Sequence, residues 1–145
     1  MSLGGGGGQM QEMAAQLEEL EQTREALEAE VQGLQGEKRD IDDAVEALEE
    51  LESGSTVQVP LGGGAYVRAE VQDIDEITIT LGSDYAAERD SDGAIETLES
   101  KRDTLDDRIE ELRSDIAELE SESDELEQRM EQARAQQMQQ LQQGE

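Results

Sequence analysis

Thr56–Arg89 reads TVQVPLGGGAYVRAEVQDIDEITITLGSDYAAER. Apolar and polar residues alternate within it. Val57, Val59 and Leu61 alternate with Thr56, Gln58 and Pro60; Val67, Ala69 and Val71 with Tyr66, Arg68 and Glu70; Ile77, Ile79 and Leu81 with Thr78 and Thr80. A period of two is that of a strand, whose successive side chains leave opposite faces. Gly62-Gly63-Gly64 and Gly82-Ser83-Asp84 carry turn chemistry, Asp73-Ile74-Asp75-Glu76 connects the second run to the third, and Tyr85–Arg89 supplies a fourth run. The stretch therefore predicts two β-hairpins. Pro60 has no N–H to donate, so the first strand lies at an edge or bends there.

On either side the period changes to that of a helix. Met13, Leu20, Leu27, Leu34, Ile41 and Leu48 recur every seven residues, with Met10, Leu17, Arg24, Val31, Lys38 and Val45 three residues earlier in each repeat. Downstream, Leu98, Leu105, Leu112, Leu119, Leu126 and Ala133 form a second column, accompanied by Ile95, Arg102, Ile109, Ile116, Ser123 and Met130. Both arrays are 3-4 heptad repeats, the signature of coiled-coil helices. Gly33 and Gly36 weaken the first helix, each by about 1 kcal/mol relative to Ala. Gly54 suits the left-handed position after a helix, and Ser91 suits the cap of the next one, with Asp92 in its first turn. The expected organisation is a disordered glycine-rich leader over 1–8, a helix over 9–53, a hub of two hairpins over 54–90, a second helix over 91–137 and a frayed tail over 138–145. The fold class is α+β.

Two helices of matching length leaving one hub are expected to pair antiparallel. The first column of one helix then faces the second column of the other, in a register where partner numbers sum to about 143 or to about 150. In both registers Arg24, Lys38, Arg102 and Ser123 face Leu or Ile, with long stems packing and charged heads reaching water. These polar positions specify register. Residues 9–52 would span roughly 65 Å, and the helix ends away from the hub would gather Met10, Met13, Leu17, Met130, Ala133, Met138 and Leu141. Methionine suits surfaces that accept many apolar partners; a poorly packed coiled-coil end is the plainer reading. A two-helix arm is marginal in isolation, and the hub is not expected to stand alone, because two hairpins expose strand edges and an apolar face. Both needs are met if hubs from several subunits close into an inter-subunit β-barrel through Val57, Val59, Leu61, Val67, Ile77, Ile79 and Leu81.

Composition narrows the function. The 145 residues contain no Phe, Trp, His or Cys and only two Tyr, too few large side chains for an ordinary globular centre. Acidic residues number 39 against 11 basic ones, a net charge of −28. Such a polyanion repels phosphate backbones, which argues against nucleic-acid binding. Only Lys38 and Lys101 are lysines. Acid enrichment with lysine depletion is the composition of haloarchaeal proteins, whose self-repulsion high salt screens; an acidic protein of ordinary habitat is the alternative. Without His or Cys there is no zinc site of the usual kind and no thiol or imidazole catalysis. Asp90-Ser91-Asp92-Gly93 resembles the start of a calcium loop, but its glycine comes two positions early and Lys101 stands where the bidentate acid belongs. Gly62-Gly63-Gly64 is followed by Ala-Tyr, so it is a turn and no phosphate loop. No enzyme, cofactor or metal is expected, nor a signal peptide or membrane span; the expected location is the cytoplasm.

A helix, two hairpins and a second helix in this order resemble prefoldin, specifically its alpha-type subunit. The resemblance is carried by Val57-Gln58-Val59-Pro60-Leu61-Gly62, by Ala65-Tyr66-Val67, by Ile79-Thr80-Leu81-Gly82-Ser83-Asp84-Tyr85 and by Ala94-Ile95. Two hairpins match the alpha type, since the beta type has one. One departure from the family pattern is Ser83-Asp84, where a second glycine or small residue is common. The resemblance implies a hexamer of two alpha and four beta subunits on a double β-barrel platform. It further implies coiled-coil tips that hold unfolded polypeptides without ATP and pass them to a group II chaperonin. A structural coiled-coil adaptor that spaces folded partners is the competing reading.

Overall fold

The computed structural model describes residues 3–144. Six elements follow one another: helix α1 (Leu3–Glu50), strands β1 (Thr56–Gly62), β2 (Ala65–Glu70), β3 (Ile77–Gly82) and β4 (Tyr85–Arg89), and helix α2 (Ser91–Gln143). They form two units, one built from residues up to 33 and from 108, the other from 34–107.

In the first unit the heptad columns face inward. Val31, Ile109, Leu112 and Leu126 are buried and Leu112 is only 1% exposed. Met13, Leu17, Leu20, Leu27, Ile116, Leu119 and Met130 are half-buried. In the second unit Ile41 is buried among half-buried Leu34, Val45, Leu48, Leu98 and Leu105. The cores are thin, because a two-helix seam shields each side chain from two directions at most. Each fully buried Leu still contributes about 2 kcal/mol.

The ion pairs decide the register. Arg24 lies 3.9 Å from Glu120, the neighbour of Leu119. Lys38 pairs with Asp106, the neighbour of Leu105, and Arg102 lies 3.2 Å from Asp42, the neighbour of Ile41. These are the neighbours expected when partner numbers sum to about 143; in the other register Lys38 would face Leu112. The polar heptad residues thus reach acids on the opposite helix, and Arg24 and Lys38 keep their stems half-buried.

The two hairpins are separate two-stranded antiparallel sheets with the same design. Val57 pairs with Ala69, Val59 with Val67 and Pro60 with Tyr66, after which the register skips to Gly62 with Ala65. Ile77 pairs with Arg89, Ile79 with Ala87 and Thr80 with Ala86, after which it skips to Gly82 with Tyr85. Leu61 and Leu81 are therefore the extra residues of two β-bulges. Glycine at positive φ completes each bulge, at 103° for Gly62 and 101° for Gly82. The two-residue loops need positive φ at both central positions. Gly63 and Gly64 supply it at 59° and 84°, whereas Ser83 and Asp84 adopt 46° and 68° with side chains that disfavour it. The second turn thus copies the first despite its different sequence. Replacing Ser83 by Asn and Asp84 by Gly together is expected to stabilise the chain by about 1 kcal/mol, read as a higher denaturant midpoint at unchanged slope.

The helix junctions refine the sequence reading at three places. First, α1 begins at Leu3 and runs through Gly4–Gly8, where composition predicted a disordered leader. The low helix propensity of glycine, about 1 kcal/mol per residue below Ala, gives no account of this extension; residues 1 and 2 lie outside the described residues. Second, α1 ends at Glu50 and α2 continues to Gln143, past the expected fraying point at 138. Third, the cap of α2 is Asp90, not Ser91. The Asp90 carboxylate accepts the Gly93 N–H at 2.7 Å, and its carbonyl accepts the Ala94 N–H at 2.8 Å. A carboxylate at this position also meets the positive end of the helix dipole. A side chain at Gly93 would sit 2.7 Å from that carboxylate oxygen, so glycine there lets the cap close. The resemblance of Asp90–Gly93 to a calcium loop is accounted for by this cap.

Candidate assembly and binding surfaces

The hub is tied to its helices by backbone donors and short side chains. The Gly54 N–H donates to the Val71 carbonyl at 2.7 Å and the Val71 N–H to the Ser55 carbonyl at 2.8 Å, which extends the β1–β2 ladder to the end of α1. The Ile74 N–H donates to the Ser53 hydroxyl at 3.0 Å, and Lys101 donates from Nζ to the Thr80 carbonyl at 3.1 Å. Hairpin β3–β4 is thereby held to α2. Ala94 on α2 is fully buried.

The residues expected to assemble the hub divide into two groups. Ile79 is 6% exposed and already covered within this chain, and Val57 and Ile77 are half-buried. Val59, Val67, Leu61 and Leu81 are exposed, Leu61 by 68%. The bulges separate Leu61 and Leu81 from the alternation that would have placed them beside Val59 and Ile79. Tyr66 and Tyr85 are also exposed, by 62% and 73%, Tyr66 on the face of its hairpin opposite Val59 and Val67. Strand alternation assigned Tyr66 to the polar side; it is the second residue after its turn, paired with Pro60, whereas Tyr85 is the first after its own, paired with Gly82. Six large apolar or aromatic side chains on two small hairpins is more than isolated strands leave in water without a partner surface.

The second set of residues lies in the unit that holds the outer ends of both helices. Met10, Met13, Leu17, Met130 and Ala133 are half-buried at their heptad positions. Met138 and Leu141 lie on α2 beyond the heptads and are 60% and 76% exposed. A groove of about 450 Å³ has Leu17 and Met130 among its walls, with Asp124, Glu127, Glu131 and Arg134 around them. A smaller one of about 180 Å³ is lined by Met10 and Ala133 together with Gln9, Gln136, Gln137 and Gln140. Charges are dense elsewhere on this unit. Glu21 raises the pKa of Arg24, with Glu28 and Glu120 assisting. Glu30, on the opposite helix, raises that of Arg108, with Glu111 assisting. Of these pairs only Arg24–Glu120 and Arg108–Glu30 cross between the helices, and pairs this open to solvent contribute little to stability.

Among the described residues, no helix is long and apolar enough to cross a membrane. Comparison with known proteins meets this geometry at every level. Prefoldin subunit alpha of Halorubrum lacusprofundi is 72% identical over 61 residues, 42% of this chain and 40% of that protein. The same subunit of Haloarcula marismortui is 60% identical over 65 residues, 45% of this chain and 42% of that protein. The chain thus aligns with about two-fifths of the length of these curated relatives. Among solved structures, filamentous PFD from Methanocaldococcus jannaschii superposes with a TM-score of 0.54 at 27% identity, over 80% of this chain and 93% of that one. The prefoldin beta subunit from Thermococcus strain KS-1 shares the fold, with a TM-score of 0.58 at 22% identity over 86% and 91% of the two chains. The prefoldin subunit family matches residues 20–143, and this chain, with its two hairpins between two heptad helices, belongs to that family.

Proposed function

We propose that this chain is a subunit of an ATP-independent holdase chaperone. Its hairpins join those of beta-type prefoldin subunits, two alpha with four beta, in a closed β-barrel platform. The outer helix ends hold unfolded polypeptides, and the particle passes them to a group II chaperonin in the cytoplasm. The observation that carries the holding role is the exposure of Met138 and Leu141 on ordered helix beside the half-buried Met10, Met13, Leu17, Met130 and Ala133. Flexible thioether and aliphatic side chains bind varied apolar segments weakly. Several arms in one particle raise the effective concentration and so the avidity. High salt favours the arrangement, since it screens arm-to-arm repulsion and strengthens apolar contact.

The test uses the particle assembled with a beta-type subunit in high salt. It is expected to suppress aggregation of a chemically denatured client without ATP. Deleting residues 1–17 and 130–145 is expected to abolish most of that suppression while leaving the particle mass, corrected for the deletion, intact. Unchanged suppression would overturn the role of the helix ends. Binding of a single folded partner with no effect on denatured clients would identify an adaptor instead.

A further inference from the structure

Charge is distributed unevenly along the coiled coil, and the register shows where it stops. Residues 1–11 contain no charged side chain, and Glu12 is the first acid of the chain. On α2 the acids end at Glu131, and residues 132–144 contain one charged side chain, Arg134. In the register fixed by Arg24–Glu120, Glu12 and Glu131 lie at the same level of the seam. Both helices therefore lose their acids together. Below that level Glu118, Glu120, Glu122, Asp124, Glu125 and Glu127 crowd α2. Above it the surface is glutamine with Met10, Ala133, Met138 and Leu141, and Arg134 makes no ion pair among the described residues. In a chain of net charge −28 this is an acid-poor cap on an acidic shaft, with Arg134 its one charge over 132–144 and Glu145 following it.

Resting on the holdase reading above, we infer that this cap selects unfolded segments that combine apolar residues with acidic ones. An acidic segment is repelled by every other part of the described helices, because like charges at contact distance cost about 1 kcal/mol even in water. At the cap it meets apolar side chains for its own apolar residues. The glutamine amides donate hydrogen bonds to its carboxylates, and the Arg134 guanidinium pairs with them. Gln136, Gln137 and Gln140 line the small groove beside Met10 and Ala133, so they act as specificity determinants. A basic segment has the opposite preference. It binds along the shaft, including the groove where Asp124, Glu127 and Glu131 outnumber Arg134 around Leu17 and Met130.

The experiment uses the assembled particle, in the lowest salt that keeps it intact. Two fluorescent unstructured peptides of equal length and equal Leu, Val and Met content are compared, one carrying Asp and Glu, the other Lys and Arg. The acidic peptide is expected to crosslink at residues 132–144, the basic one along 110–131. Gln136→Glu is expected to weaken the acidic peptide about fivefold, from one added repulsion of this size, and to leave the basic peptide as tight or tighter. Raising the salt is expected to shrink both differences as the Debye length falls. Equal weakening of both peptides, or preferential crosslinking of the basic peptide at the cap, would overturn the selectivity while the holdase reading stands. If neither peptide binds and no denatured client is held, the holdase reading fails and the selectivity fails with it.

Discussion

Leu61→Asp combined with Leu81→Asp is expected to reduce the particle to free subunits while the helices stay folded. Both side chains stand on β-bulges, exposed by 68% and 50%, and neither packs into the chain that carries it. Their replacement should therefore cost the isolated subunit little, since exposed substitutions change stability by about 0.5 kcal/mol or less. In the proposed platform the same positions are covered by neighbouring strands. Each buried Leu there contributes about 2 kcal/mol, and a carboxylate in its place adds the cost of desolvating a charge. Two such losses on every alpha-type hub exceed what a multi-subunit ring tolerates. Light scattering in high salt with the beta-type subunit should report the fall in mass, and far-UV circular dichroism should report retained helix. A particle of unchanged mass would show that the hairpins assemble through other residues, with Tyr66 and Tyr85 the next to test.

Leu112→Ala is expected to have the largest effect on the stability of the subunit itself. Leu112 is the most completely buried large side chain, facing Val31 across the seam. Removing three carbons from a fully buried leucine costs about 2–5 kcal/mol, the spread depending on how far the site collapses. A two-helix seam has few other buried side chains to share the loss, and the total stability of a domain is only about 5–15 kcal/mol. Chemical unfolding followed by circular dichroism should show the lower midpoint. Leu141→Ala, at a side chain 76% exposed, serves as the control and should leave the midpoint in place. A small effect at Leu112 would mean that the seam repacks or that subunit contacts dominate stability.

The alternation in Thr56–Arg89 and the heptad columns were enough to place all six elements, because each pattern reports which side chains share a face. Boundaries were less legible. Ser91 and Asp90 are both good caps, and only the position of the carboxylate over the Gly93 N–H distinguishes them. The glycine leader reads as disordered by composition, whereas α1 starts at Leu3. The assembly surface was partly legible. Val59 and Val67 keep the strand alternation, but Leu61 and Leu81 leave it at the bulges, and Ile79 turns inward. Tyr66 and Tyr85 were hidden because alternation counts Tyr66 on the polar side and says nothing of a residue beside a turn.

What the chain's linear order determined by itself is local: two heptad helices, two hairpins, their turns and a heavy acid load. These follow from periodicity and charge, which need no knowledge of distant neighbours. The tertiary structure decided the register of the two helices, where Lys38 reaches Asp106 and Arg102 reaches Asp42. Two registers were equivalent by heptad matching, since a shift of seven residues restores the apolar columns. The pairing of charges beside the seam does not repeat with that period, so it separates the alternatives. That one decision also aligned Glu12 with Glu131 and revealed the acid-poor cap, a feature divided between two segments more than a hundred residues apart in the chain.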